Sequence, residues 1–257
     1  MIPLCAPGDD CAILFARTPI SGRVKSRLWT HLTPEQACAL HCAAASDMAA
    51  LLAEALPGIP HWLFFSEEPA ACPEPALSPA EGSEVEGRNR RELVERAEIG
   101  SAALVLPPDW QYAVQQGTTL GDRMAAAFLR AFASGARRVV IFGSDSPTLP
   151  PRVPQQAMEV LADCDVVLGL SEDGGYYLIG CRRFDPRLFH GVEWSTPRTC
   201  EQTLANARSL GFRTTLLERW FDLDEWKDIE RLLADARRGV SLPRHLAAFL
   251  KKLEIPG

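Results

Sequence analysis

Short, nearly continuous apolar runs alternate with longer helical segments along most of this chain, and this alternation most constrains its fold. Residues 11–16 (CAILFA) and 138–143 (RVVIFG) are two such runs. Runs without polar alternation are typical of strands that are buried on both faces. Strands of this kind that alternate with helices predict an α/β fold, with a mixed, mostly parallel sheet covered by helices on both faces.

The other predicted elements follow the same alternation. Thr33, Pro34 and Gln36 form a capping-box signature, which predicts a helix that continues to about Leu56. Residues 120–135 place apolar side chains on one helical face and end at a glycine. Further strands are predicted at residues 61–65, 165–170, 176–181 and 212–218, and further helices within 153–162, 195–211 and 221–239.

Composition favours one folded cytoplasmic domain over residues 1–257. Apolar residues make up 47% of the chain and charged residues 23%, as in ordinary globular proteins. The net charge of −6 argues against a nucleic-acid partner. The eight cysteines form no Cys-x-x-Cys pair, which favours reduced thiols in the cytosol. The apolar run at residues 37–56 contains His41, Asp47 and Glu54, so we predict a packed helix and no membrane association.

One segment departs from this composition. Residues 66–100 are rich in Pro, Glu, Ser and Ala, with too few large apolar groups to offset the entropy of ordering. We interpret the segment as a surface insertion or loop, with a short charged helix at residues 89–97 and a weakly marked strand at residues 102–106.

The loop after the first strand carries several cations. Pro19 and Gly22 shape the turn, while Lys25 and Arg27 supply charges suited to a phosphate. A solvated basic loop explains the same residues equally well. The loop is not a Walker motif, because it lacks the adjacent Gly-Lys and the upstream glycine.

Asp145 follows the apolar run at residues 138–143, where a parallel strand should end. Ligands of open parallel sheets bind at such strand ends, and a carboxylate there suits a divalent cation that bridges phosphates. Asp145 could instead cap the next helix. Pro147 and the prolines at 150–151 argue against that alternative, because they place the helix start several residues further on.

A third group joins Glu172 and Asp173 with the later pair Asp222 and Asp224. Gly174 and Gly175 follow the first two acids and permit close approach of the backbone to a ligand, although Asp-Gly is also a strong hairpin signal. The later pair could equally provide capping charges for the last long helix.

Cys38, His41 and Cys42 share a helical face, but without a second ligand pair they do not predict a zinc site. Trp194, Trp220 and Trp226 are interpreted as packing residues.

Six motifs in this order resemble one family: FARTPISGRVKSRL, QQGTTLGDRM, FGSDSPTL, EDGGYYLIG, VEWST and FDLDEWKDIERL. The chain is similar to the bacterial GT-A-like nucleotide-diphospho-sugar transferases, which include arsenosugar-biosynthesis-type glycosyltransferases. Their fold is shared with molybdenum-cofactor and phospholactate guanylyltransferases. The resemblance covers residues 11–65 and 115–234, and it implies a single-domain GT-A-like, Rossmann-like fold.

The resemblance also implies roles for individual residues. A metal ion, Mg²⁺ or Mn²⁺, would be held by Asp145, Asp222 and Asp224. Lys25 would act on the phosphates, and Asp173 or Glu172 would be the general base. Nucleotide-binding positions would be Ala16, Arg17, Pro19, Gly22, Lys25, Arg27, Gln116, Gly117 and Ser144. The acceptor pocket would be lined by Gly174, Gly175 and Tyr176.

The chain departs from the family pattern at two positions. Thr119 stands where an acidic residue commonly precedes Leu-Gly, and Thr148 stands where a second aspartate usually follows Asp145.

The leading hypothesis is a metal-dependent glycosyltransferase that uses a nucleoside-diphosphate sugar and a small acceptor. The alternatives are a nucleotidyltransferase that releases pyrophosphate from a nucleoside triphosphate, and a non-catalytic nucleotide-binding protein. A haloacid-type phosphatase is excluded, because its Asp-x-Asp should follow the first strand.

Overall fold

A seven-stranded mixed sheet organises the residues that the computed structural model describes, which are 3–66 and 104–253. The strand order is β3-β2-β1-β4-β6-β5-β7. Strand β6 is antiparallel to β4 and β5, and the other neighbouring pairs are parallel. The strands are β1 Asp10–Arg17, β2 His61–Ser66, β3 Gln111–Val114, β4 Arg138–Gly143, β5 Val166–Ser171, β6 Tyr176–Cys181 and β7 Thr214–Trp220.

Helices cover both faces of this sheet, as predicted. Alternate residues of β1 face opposite sides, so Ile13 packs with α2 and α4 in one apolar core, and Leu14 packs with α1 and α3 in another. The helices are α1 Pro34–Ala55, α2 Leu120–Ala133, α3 Arg152–Val160, α4 Thr199–Ser209, α5 Trp226–Arg237 and α6 Arg244–Lys252, with short 3₁₀ helices at Ser26–Leu28 and Pro186–Phe189.

Helix α1 is, within the described residues, the one helix long and apolar enough to cross a membrane. However, 72% of its apolar stretch is buried inside the structure, as in the core helix of a soluble protein. Thr33 and Gln36 form the predicted capping box at its start. The Asp47 carboxylate of α1 accepts the backbone N–H groups of His245 and Leu246, at 2.9 and 2.7 Å, and so caps α6.

A third apolar cluster lies beside the two faces of the sheet. Leu28 from the first loop packs there with Phe221 and Leu223, which follow β7, and with side chains of α5 and α6. Residues 221–224, which follow β7, are called the β7 extension. Leu28 and Leu32 of the first loop and Phe221 and Leu223 of the β7 extension are at most 4% exposed. The cluster therefore fixes both segments next to each other at one edge of the sheet.

Most predicted elements are present within one or two residues of their expected bounds. Strand β3 and helix α6 were not predicted, and residues 104–106, part of the weakly marked strand, are not in a strand. The predicted loop and short helix within residues 66–100 lie outside the described residues, apart from Ser66. The cysteines that the structure describes are free and buried, which agrees with reduced thiols. Trp194 packs against the first core and Trp226 stacks on His31, so both are packing residues.

Candidate functional site

Strands β1, β4, β5 and β7 are parallel in direction and end at the same edge of the sheet, where β6 begins. Ligands of open α/β sheets bind outside this edge. The loops that leave these strand ends carry Lys25, Asp145, Glu172 and Asp222. The structure thus brings together the chemistry that the sequence spread over some 200 residues.

Lys25 lies at the centre of the site. Its ammonium nitrogen Nζ is 2.6 Å from Asp145 Oδ1 and 2.9 Å from Asp224 Oδ1, and it donates a hydrogen bond of 2.7 Å to the Leu223 carbonyl. The Lys25 side chain is only 4% exposed. Two hydrogen bonds, to Leu223 and Asp224, and an ion pair with Asp145 therefore surround a buried ammonium group.

The charges in this group stabilise one another. Burial alone would lower the pKa of Lys25, but the nearby Asp145 and Asp224 carboxylates outweigh burial and raise that pKa. Burial would raise the pKa of Asp145, and the positive charge of Lys25 reverses the effect and lowers it. At neutral pH, Lys25 is therefore protonated and Asp145 is ionised.

Asp222 differs from its neighbours. It receives hydroxyl hydrogen bonds from Ser146 on Oδ1 and from Ser171 on Oδ2, the latter at 2.7 Å. Burial raises its pKa to about 6, with the Asp145 and Asp224 charges adding to the shift and the two serine hydroxyls opposing it. The sequence analysis missed Ser146 and Ser171. Their signal was their place beside a strand-end carboxylate.

The capping alternatives for the site aspartates are wrong. Helix α3 begins at Arg152 with Pro151 as its N-cap, so Asp145 caps no helix. The N-terminus of α5 is capped by a box between Glu225 and Asp228, not by the side chains of the earlier acid pair. The backbone N–H of Asp224 donates to Asp228 Oδ2 at 3.0 Å, which fixes the chain that carries both Asp222 and Asp224.

A cleft of about 240 Å³ opens beside these carboxylates. Asp222, Asp224, Glu172, Asp173 and Arg27 are among the residues that line it. Both carboxylate oxygens of Glu172 contact the Arg231 guanidinium, at 3.1 and 3.3 Å. Asp173 is exposed and its Oδ1 accepts the Gly175 N–H at 2.9 Å. The two candidate bases therefore sit in different surroundings.

The remaining predicted nucleotide-binding positions lie at the ends of β1 and β4 and in the loop that follows β1. Ala16 and Pro19 are buried at the end of β1, Gly22 adopts a positive φ of 78°, and the Arg17 side chain is exposed. The Arg17 charge acts on Asp145 from this side. Ser144, directly before Asp145, is buried. Their nucleotide-binding roles stay predictions.

Buried His41 supports the loop from below. Its Nε2 lies 2.9 Å from the Arg17 carbonyl oxygen, and burial lowers its pKa, so the ring is neutral at pH 7. This contact positions the backbone at the end of β1.

Gln116 and Gly117 follow β3, on the far side of β1 from Asp145. Both are exposed, and a Cβ on Gly117 would lie 2.6 Å from Asp122 Cβ. The neighbouring Gln115 was missed by the sequence analysis. Its amide donates to the Ala16 and Phe64 carbonyls, at 3.2 and 2.8 Å, and so joins the ends of β1 and β2. Thr119 caps α2 through a box with Asp122, which gives that departure from the family pattern a structural role.

The predicted acceptor-pocket residues are placed differently from expectation. A Cβ on Gly174 would lie 2.3 Å from the Pro197 carbonyl oxygen, so this glycine serves close packing. Gly175 completes the tight turn with Asp173, and the hairpin alternative is confirmed by antiparallel β5 and β6. The Tyr176 hydroxyl is buried and its ring packs edge-on against Trp194. None of the three lines the cleft.

Thr148 contacts a different part of the molecule. Its Oγ1 accepts the Trp220 indole N–H at 3.1 Å, beside a separate cavity of about 720 Å³. Thr148, the second departure from the family pattern, therefore contacts Trp220 and adds no carboxylate to the group around Lys25.

The metal site predicted from the sequence is not assembled in this arrangement. Among residues 3–66 and 104–253, no three His, Cys, Asp or Glu side chains are arranged to hold a metal ion. Carboxylate oxygens are the donors that Mg²⁺ and Mn²⁺ prefer. However, Lys25 occupies the space between Asp145 and Asp224, and serine hydroxyls occupy both oxygens of Asp222. As arranged, the side chains do not fit a divalent cation.

Comparisons with known proteins agree with this architecture. Residues 86–196 match the family described as "Uncharacterized protein conserved in bacteria (DUF2064)". A "putative nucleotide-diphospho-sugar transferase" from Desulfovibrio desulfuricans G20 is 26% identical, with 95% of each chain covered and a TM-score of 0.76. No curated protein is detectably similar to the chain in sequence.

More distant solved structures share the fold. A CMP:2-keto-3-deoxy-manno-octonic acid synthetase complexed with CTP is 11% identical, with a TM-score of 0.50, and covers 90% of this chain and 100% of its own. A nucleotidyl transferase from Methanothermobacter is 12% identical, with a TM-score of 0.51, and covers 90% of this chain and 99% of its own. The family resemblance seen in the sequence is confirmed: this chain has the fold shared by nucleotide-diphospho-sugar transferases and nucleotidyltransferases, and its residues 86–196 match DUF2064.

Proposed function

We propose that this protein is a glycosyltransferase that takes a sugar from a nucleoside-diphosphate donor and transfers it to a small acceptor. The observation that carries the proposal is the buried Lys25 ammonium between Asp145 and Asp224, at the sheet edge where ligands of this architecture bind. The 26% identical relative with full-length coverage supports the donor class, since its name refers to a nucleotide-diphospho-sugar.

The proposed reaction breaks the bond between the anomeric carbon and the diphosphate oxygen. Negative charge then develops on the departing diphosphate, and fixed positive groups stabilise it more strongly in a buried site than in water. Lys25 is the buried cation of the site, and the exposed Arg17 and Arg27 side chains flank it. These three residues would bind and neutralise the diphosphate.

The acceptor hydroxyl would form the new bond to the anomeric carbon and lose its proton to a carboxylate. Asp173 is the better candidate, because Glu172 is held by Arg231. Asp173 uses only Oδ1 in its turn, which leaves Oδ2 for the acceptor proton. The acceptor would lie in the 240 Å³ cleft, where small polar molecules fit beside the acids.

Dependence on Mg²⁺ or Mn²⁺ stays a prediction from the sequence. A bound divalent cation would supply additional neutralisation of the diphosphate. The steps above are assigned to side chains of this chain alone.

Nucleotidyl transfer is the second candidate. The fold is shared with a synthetase solved with CTP, and the same cationic loop could neutralise pyrophosphate that leaves a nucleoside triphosphate. The two reactions require different donors and release different products.

Product analysis with both donor classes tests the proposal. The protein is incubated with a panel of nucleoside-diphosphate sugars and with nucleoside triphosphates plus sugar phosphates, each with and without Mn²⁺. We expect sugar-nucleotide consumption and nucleoside diphosphate release that Lys25→Met abolishes and that a change of the exposed Lys251 on α6, Lys251→Met, preserves. Pyrophosphate release that needs a triphosphate would establish the second candidate instead. Tight nucleotide binding without turnover of any donor would favour a non-catalytic binding protein.

A further inference from the structure

Three oxygen atoms lie around the Lys25 ammonium group. Two carboxylate oxygens and one backbone carbonyl, from Asp145, Asp224 and Leu223, surround Nζ at 2.6, 2.9 and 2.7 Å. Carboxylate and backbone carbonyl oxygens are also the ligands of hard divalent cations. These three oxygens are called the oxygen cage. In this structure the ammonium group of Lys25 occupies the cage.

An ammonium group and a divalent cation cannot share these oxygens. A metal ion bound to Asp145 Oδ1 and Asp224 Oδ1 would lie within about 2 to 2.5 Å of each oxygen, at the position where Nζ now lies. Two positive centres at that separation repel strongly in a site that excludes water. Binding of the metal therefore requires departure of the ammonium.

The loop is built so that the ammonium can leave without disruption of its anchors. Val24 and Leu28, on either side of Lys25, are buried, at 1% and 0% exposure. Lys25 itself adopts a left-handed backbone conformation with φ of 52°, which is strained for a non-glycine residue. The flexible side chain of lysine lets its head group move while both neighbours stay packed.

Without Lys25 the site would carry strong uncompensated negative charge. Asp145 and Asp224 would lose their counter-ion, and Asp222, which acts electrostatically on both, stands next to them. Such a site has a strong tendency to take up a cation from solution.

We propose that Lys25 is a built-in competitor of divalent cations: its ammonium group holds Asp145 and Asp224 in the free protein, and a divalent cation binds these carboxylates only when Lys25 is displaced. The inference rests on the proposed function in taking this edge as the substrate site. It adds a mechanism by which phosphate groups that attract Lys25 would open the carboxylates to a metal ion. Free protein would therefore bind metal weakly.

Mn²⁺ binding measured by electron paramagnetic resonance at pH 8, without nucleotide, tests this proposal. We expect Lys25→Met, which keeps the length of the side chain and removes its charge, to bind Mn²⁺ at least tenfold more tightly than the wild type. Lys227→Met is the matched control, because Lys227 pairs with Glu225 at the same cleft and lies outside the cage. It should change the affinity less than twofold. Adding Asp145→Asn to Lys25→Met should remove the gain.

A second measurement uses the wild-type protein, in case Lys25→Met does not fold. The chain has four lysines, so reductive methylation followed by mass spectrometry resolves each one. We expect Lys25 to be protected in free protein and to become reactive when millimolar Mn²⁺ is added, with Lys227, Lys251 and Lys252 unchanged. Tighter Mn²⁺ binding by Lys25→Met than by wild type in the first experiment, or metal-dependent labelling of Lys25 in the second, supports the competition.

Two results would overturn the inference. One is equal Mn²⁺ affinity of folded Lys25→Met and wild type, and the other is labelling of Lys25 that Mn²⁺ does not change. Both measurements omit substrates. A failure to find any sugar-nucleotide reaction would therefore refute the proposed function while leaving the competition between Lys25 and metal intact.

Discussion

The backbone N–H of Leu223 donates to the carbonyl oxygen of Asp145 at 2.8 Å, although β6 and β5 separate their strands in the sheet. The chain after β7 must therefore cross the sheet edge to reach the end of β4. Leu223 is fully buried in the third apolar cluster, which holds that crossing in place. The position of Asp224 against Lys25 thus depends on packing beside the site as well as on strand order.

Replacement of Lys25 by methionine should lower turnover of the sugar-nucleotide by about 10²- to 10³-fold, the usual effect of removing one group that stabilises developing charge. The loss should appear mainly in kcat, because leaving-group charge is greatest in the transition state. Steady-state kinetics measures this effect. Lys251→Met, at an exposed position of α6, should keep kcat within about twofold. A similar loss in that control would assign the effect to the loss of any lysine charge.

The two candidate bases should respond differently to neutral substitution. Asp173→Asn should lower kcat about 10²-fold or more, as expected for loss of general base catalysis. Glu172→Gln should have a small effect, because Glu172 is held by Arg231 at the surface. The pH dependence of kcat provides the check, since only Asp173→Asn should remove its acidic limb. A larger loss in Glu172→Gln would exchange the two assignments.

Asp222 should make the stability of the protein fall as pH rises. Its pKa is raised, mainly by burial, to about 6, so the native state holds this proton more tightly than the unfolded chain does. The stabilisation is fully present below the unfolded pKa near 3.8 and is lost as pH rises through 6. A shift of about two pKa units corresponds to about 2–3 kcal/mol.

Urea denaturation of wild type and Asp222→Asn at pH 4 and pH 8 measures this contribution. The amide should gain stability relative to wild type by about 2–3 kcal/mol between the two pH values. Exposed Asp163→Asn is the control and should show no such change. An equal pH dependence in all three proteins would show that the pKa of Asp222 is not raised in the native state.

Gly117→Ala should destabilise the protein more than a comparable glycine change elsewhere. Gly117 has a φ of 130°, and an added Cβ would lie 2.9 Å from the Arg123 backbone nitrogen. Gly191 has a φ of 68° with no atom within 4 Å, so Gly191→Ala carries the conformational cost alone. We expect Gly117→Ala to cost about 1–3 kcal/mol more than that control. Thermal unfolding gives both values, and equal losses would show that the loop relaxes freely.

Asp10 contributes stability at the opposite edge of the sheet. Its carboxylate accepts hydrogen bonds from both Arg137 and Arg138. Burial would raise the pKa of Asp10, but the two guanidinium groups outweigh it and lower the pKa below the ordinary 3.8. Its contribution is therefore present above about pH 4 and is lost as pH falls through the lowered pKa.

Asp10→Asn should lower the free energy of unfolding by about 2–4 kcal/mol at pH 7, because the substitution removes the negative charge that the Arg137 and Arg138 guanidinium groups contact. The neighbouring, exposed Asp9 is the matched control, and Asp9→Asn should cost less than about 0.5 kcal/mol. Chemical denaturation at pH 7 and pH 3 compares the two. A loss that does not shrink at pH 3 would contradict the role of charge.

The sequence predicted elements whose signals are local. The capping box at Thr33 and the apolar run at residues 138–143 each depend on neighbours in the chain, and both appear as expected. Strand β3 was missed because its four residues, QYAV, are half-buried and carry no continuous apolar run. Its place is set by pairing with β2, a contact that no local pattern records.

The sequence placed Lys25 and Asp145 at the same sheet edge, because strand ends gather there. It could not show that Lys25 contacts Asp224, since that contact needs the β7 extension to cross the edge. The glycines at 174 and 175 illustrate the opposite case. Their pattern fits a ligand turn and a hairpin equally well, and the pairing of β5 with β6 and the close contact of Gly174 with Pro197 distinguish the two.

Capping of α6 by Asp47 has a consequence for the order of folding during synthesis. Asp47 belongs to the first helix of the chain, and its partners, the His245 and Leu246 N–H groups, leave the ribosome almost 200 residues later. Until then the Asp47 carboxylate lacks the two N–H groups that it accepts in the native state. The amino-terminal half of the nascent chain therefore exposes the surface that α6 will cover until α6 docks.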